Sequence, residues 1–111
     1  MNEDVKFRLE VAARVLERAA SRTNDQELKD QLLKLASSLR SFNISSLRDV
    51  EVTGVRAKTI DDVVKEIREF IWKPSPREHT ERKLEKKVLK PLEEFEKLLE
   101  DIDKKLEELL L

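Results

Sequence analysis

Apolar residues in the first twenty positions fall at steps of four and three: Val5, Leu9, Ala12, Leu16 and Ala19. That spacing puts them on one stripe of a helix and predicts an α-helix from about Glu3 to Arg22. Phe7, Val11 and Val15 form a second row that widens the buried face. The polar run at 21–25 interrupts the pattern, and Asn24, three residues before Glu27, offers a side-chain oxygen to the unpaired amides of a new helix start. Leu28, Leu32, Leu35, Leu39 and Phe42 then repeat by four and three, the spacing of a seam that faces a partner helix. Residues 3–42 are therefore expected to form an antiparallel helical hairpin.

From 43 to 58 the helical period is lost. Asn43, Ser45, Ser46 and the single glycine, Gly54, are turn formers, and Val50 and Val52 alternate with polar neighbours as in a short extended piece. An irregular insert is expected here. Thr59 is placed to cap a third helix over 59–73, with Asp61 and Asp62 in its first turn and Ile60, Val63, Val64, Ile67, Phe70 and Ile71 on its buried face. After Lys73-Pro74, Ser75 followed by Pro76 and Glu78 reads as another helix start.

The last segment, 76–111, keeps one apolar seam through Leu84, Val88, Leu92, Phe95, Leu99, Ile102, Leu106 and Leu109. The residues on either side of Pro91 stay in phase. A helix of that length runs to roughly 54 Å at about 1.5 Å per residue, longer than a domain of this size is wide. Pro91 removes one backbone donor, so a kink there that wraps the distal half around the body is expected. The predicted fold is an all-α bundle of about four helices in a single domain, the last helix long and kinked at Pro91.

Charge refines this picture. The 23 basic and 24 acidic residues nearly cancel over the chain, which leaves no global attraction for nucleic acid or anionic lipid. The final helix is polarised: Lys83, Lys86, Lys87 and Lys90 lie in a basic stretch before Pro91, and acidic residues dominate after it. The abundance of Lys, Arg and Glu with few Asn, Gln and Gly suits ion-pair networks at high temperature and points to a thermophilic source. With no cysteine, no apolar run of membrane-spanning length and no basic leader, a cytoplasmic chain without membrane contact is expected.

Catalytic chemistry finds little to build on. His79 is the only histidine and sits among Arg77, Glu78, Glu81 and Arg82, a solvated setting with no partner to tune it. Paired Glu-x-x-His motifs for a bundle di-metal site are lacking, one glycine cannot make a phosphate loop, and Ser37-Ser38 and Ser45-Ser46 have no base nearby. The chain is expected to be no enzyme and to use no cofactor and no metal.

One stretch allows a sharper alternative. In 46–65, Gly54-Val55 followed by Ile60 and Val63 resembles the helix-turn-helix signature of bacterial repressors, where the glycine opens the turn and the later apolar pair docks the reading helix. The resemblance implies a DNA-binding protein with Arg56 and Lys58 as DNA contacts. Asp49 and Val50 depart from the pattern, and Asp61 and Asp62 on the reading helix would repel phosphate.

The preferred reading is an interaction or structural module whose partner is another protein, either a second copy or a larger complex. Its expected contact residues are Leu92, Phe95, Leu99, Ile102, Leu106 and Leu109 on the seam, with Lys83, Lys86, Lys87 and Lys90 meeting the acidic half of an antiparallel mate. Salt is expected to weaken that homodimer without abolishing it.

Overall fold

The computed structural model describes residues 3–42, 54–72 and 81–111. They form four α-helices: α1 (Glu3–Ser21), α2 (Gln26–Arg40), α3 (Val55–Trp72) and α4 (Glu81–Leu110). Cross-helix contacts fix their directions. Arg40 of α2 pairs with Glu10 and Glu17 of α1, so these two run antiparallel as a hairpin. The Arg8 guanidinium donates to the Phe70 carbonyl at 2.8 Å, which brings the end of α3 to the start of α1 and satisfies a carbonyl of the last turn of α3. Arg56 at the start of α3 reaches Asp25 at the start of α2, so α2 and α3 are parallel. Arg14–Glu81 and Arg18–Glu85 ion pairs set α4 parallel to α1. The directions are up, down, down, up.

The core holds the faces that the spacing predicts. Leu9, Ala12, Leu16 and Ala19 of α1, Leu28, Leu32, Leu35 and Leu39 of α2, and Ile60, Val63, Val64, Ile67, Phe70 and Ile71 of α3 are all buried. Ala12, Ala13, Ala19 and Ala20 let the neighbouring helices come close to α1, and α1 with α2 is the most extensive helix pair. Two expected core residues stand outside. Phe7, one turn before Val11 on the second row of α1, is 64% exposed. Phe42 lies beyond the helix end in a left-handed conformation (φ 60°) and is half exposed.

Helix starts differ from expectation in two places. Asp25, not Asn24, caps α2: its carboxylate accepts the Leu28 amide at 3.0 Å. The helix begins one residue later than the sequence suggests, and the cap moves with it. α3 starts at Val55 rather than Thr59 because Gly54, at φ 69°, supplies the turn, and its carbonyl already accepts the Ala57 amide. Thr59 is inside the helix, its hydroxyl donating back to the Val55 carbonyl. The remainder of the expected insert, 43–53, and the expected start at Ser75-Pro76 together with His79 lie outside the described residues.

α4 continues without a break through Pro91, whose ring is buried. At 30 residues it is about 45 Å long, whereas α1 to α3 have 15 to 19 residues and span only about 22–28 Å. The expected return of the distal half over the body does not occur. Leu84, Val88, Leu92 and Phe95 complete the core, Leu99 packs at its edge, and every residue from 100 to 111 is exposed. Among the described residues the shorter helices offer no further surface to fold against, so α4 runs past them, and the molecule measures 59 × 28 × 20 Å.

Candidate interaction surface

The projecting part of α4, residues 98–111, is called the arm below. Leu99, Ile102, Leu106 and Leu109 continue the three-four spacing of the proximal seam, and Leu98 and Leu110 flank it. Helical geometry places the four on one stripe. Exposure rises along it, from half-buried Leu99 through Ile102 at 40% and Leu106 at 52% to Leu109 at 82%. The opposite faces carry Glu100, Asp101, Asp103, Glu107 and Glu108 against Lys104 and Lys105, a net charge of −3.

The expected contact residues are thereby divided. Leu92 and Phe95 are buried in the chain's own core and are not available to a partner. Leu99 stands at the boundary, and Ile102, Leu106 and Leu109 are open. Lys83, Lys86, Lys87 and Lys90 are exposed, but on the bundle body rather than the arm. Lys87 and Lys90 border a shallow groove between α3 and α4 that also contains Asp62, Lys65, Glu66 and Glu94, so the positive charge there is largely balanced.

Sequence reasoning missed Val55, Leu98 and Leu110. Val55 and Leu98 line one depression at the base of the arm together with Pro91 and Phe95, and both are nearly half exposed. The loss of helical period over 43–58 hides the position of Val55 on the first turn of α3.

Arg56, a DNA contact in the helix-turn-helix reading, is engaged within the chain. Its guanidinium meets the Asp25 carboxylate in a fork, Nε to Oδ1 at 3.0 Å and Nη2 to Oδ2 at 2.8 Å, and also reaches Glu27. The same group lies over the Phe95 ring at 5.7 Å. Arg56 thus ties α3 to the cap of α2 and to α4. The hydrogen bond from Arg56 holds the Asp25 carboxyl below its ordinary value of 3.8, against the opposing effect of burial. Lys58 is exposed on α3. The first helix of the helix-turn-helix reading falls in 46–53, outside the described residues.

Among the described residues no three His, Asp or Glu side chains converge as a cation site, and no helix is long and apolar enough to cross a membrane. No protein-family model matches the chain, and no match is found among curated proteins or solved structures.

Proposed function

We propose that this protein is a small helical protein–protein interaction module, acting without catalysis or cofactor, whose docking element is the arm of α4. The observation that carries this reading is the apolar stripe Ile102, Leu106 and Leu109, which continues the core seam in phase and stands in solvent. A helix end of about three turns gains little from propensity alone, and apolar side chains on one face of it are stabilised by a partner that covers them. A cytoplasmic setting suits a chain with no cysteine. The inter-helix pairs of Arg14, Arg18 and Arg40 suit a thermophilic origin, where networks of this kind stabilise most.

Native sizing in extract from cells that make the protein tests this reading. The wild-type chain is expected to migrate well above its 13.0 kDa mass, and the double variant Ile102→Ser/Leu106→Ser to migrate as a monomer with an unchanged unfolding midpoint. A wild-type chain that runs as a monomer in extract would overturn the proposal.

A further inference from the structure

We infer that the arm docks on a second copy of this chain, arm against arm in antiparallel orientation, with each tip seated on Val55 and Leu98 at the base of the other arm. The inference rests on the reading of the arm as the docking element and adds its occupant and geometry.

Direction follows from the continuity of the seam. Leu92 and Phe95 point into the body, and Leu99, Ile102, Leu106 and Leu109 lie on the same helical stripe. A partner helix covering that stripe must therefore lie on the body's side of α4, just beyond the body's end. A parallel mate placed there would need its own bundle where the first bundle already is. An antiparallel mate carries its bundle beyond the tip of the first arm, where space is open.

The stripe is also complementary to itself in that orientation. Centred on residue 104, the pairing sets Leu99 opposite Leu109 and Ile102 opposite Leu106, each pair occurring twice about a two-fold axis. In this register Leu109 and Leu110 of one copy reach the level of Leu98 in the other, where Val55 and Leu98 line a depression with Pro91 and Phe95 whose rim carries Lys58, Asp62 and Glu94. Each newly covered leucine-sized side chain removes roughly 60–100 Å² from water. Two arms and two depressions give on the order of 1,000 Å², at the lower end for a stable interface.

Charge limits the affinity. The register brings Asp103 towards Asp103 of the partner copy and Lys105 towards its equivalent, and both arms carry net −3. Lys83, Lys86, Lys87 and Lys90 do not meet the partner's acidic tip, because even Lys90 is eight residues, about 12 Å, behind the start of the overlap. Screening then strengthens the dimer as salt rises, opposite to the trend expected when basic and acidic halves pair.

The chain has no cysteine, so single-cysteine variants report geometry cleanly. Sedimentation of the full chain is expected to show a reversible dimer that tightens severalfold between low and high salt. Val55→Asp, outside the arm, on an already exposed position and adding negative charge where the acidic tip docks, is expected to weaken it at least tenfold. Asp103→Cys is expected to cross-link to itself under mild oxidation, and Leu109→Cys to cross-link far less. A monomer at millimolar concentration overturns the second-copy inference while leaving the sizing result in extract to be judged separately. A dimer in which Leu109→Cys cross-links better than Asp103→Cys, or one indifferent to Val55→Asp, overturns the antiparallel geometry.

Discussion

The two halves of α4 share one sequence pattern and differ in fate. Before Leu99 the seam fills the core of a bundle with α1 and α3; after it, the same spacing of leucine and isoleucine faces solvent. Nothing in the periodicity distinguishes them. The difference comes from length: among the described residues α1, α2 and α3 have no further turns to lay beside the arm. An amphipathic pattern therefore states that a face wants a partner, and the lengths of the other elements decide whether the chain can supply it.

The largest contrast is expected between core and arm truncations. Phe95→Ala removes a buried ring and the contact with Arg56, and is expected to destabilise the bundle by about 3–5 kcal/mol in denaturant unfolding. Leu106→Ser, ten residues or so further along the same helix, is expected to change the stability of the monomer by less than about 0.5 kcal/mol. Equal losses would erase the distinction between the halves.

A smaller effect sharpens where the body ends. Asp25→Ala removes the cap of α2 and the anchor for Arg56, with an expected cost of about 1 kcal/mol. Because the Asp25 carboxyl is held below 3.8 in the folded chain, its contribution is present above that pH and is lost as pH falls through the lowered value. Acid unfolding of Asp25→Asn should accordingly lose part of the wild-type dependence below about pH 4. An unchanged acid limb would mean that the fork with Arg56 adds nothing to the base of the arm.

Gly54→Ala is expected to cost about 1 kcal/mol. A Cβ there meets no neighbour within 4 Å, so the cost comes from the positive φ of 69° alone. If thermal unfolding shows no change, α3 does not depend on that turn to place Val55 at its start.

Much of the fold was legible because burial and helical period agree. The core residues of α2 and α3, from Leu28 to Leu39 and from Ile60 to Ile71, follow directly from steps of three and four. Caps were less legible: Asn24 and Asp25 are both good capping residues, and only the register against Leu28 selects the second. Thr59 resembled a cap because a threonine before Asp61 and Asp62 looks alike whether its hydroxyl caps a start or bonds back one turn. The contact surface was half legible. The seam gives one continuous stripe, and only the lengths and packing of α1 to α3 separate buried Leu92 and Phe95 from exposed Ile102 and Leu106. The clamp that Arg56 makes between three helices is not legible in the sequence, because such a contact has no local signature.

Hydrogen exchange along α4 at several protein concentrations compares the two halves most directly. Amides from Leu84 to Phe95 are expected to be protected at every concentration, because their protection depends on the bundle itself. Those from Ile102 to Leu109 are expected to exchange quickly in dilute protein and to slow as concentration rises and the arms pair. Protection of the distal half equal to that of the proximal half in the most dilute sample, or fast distal exchange that concentration does not alter, would contradict the account.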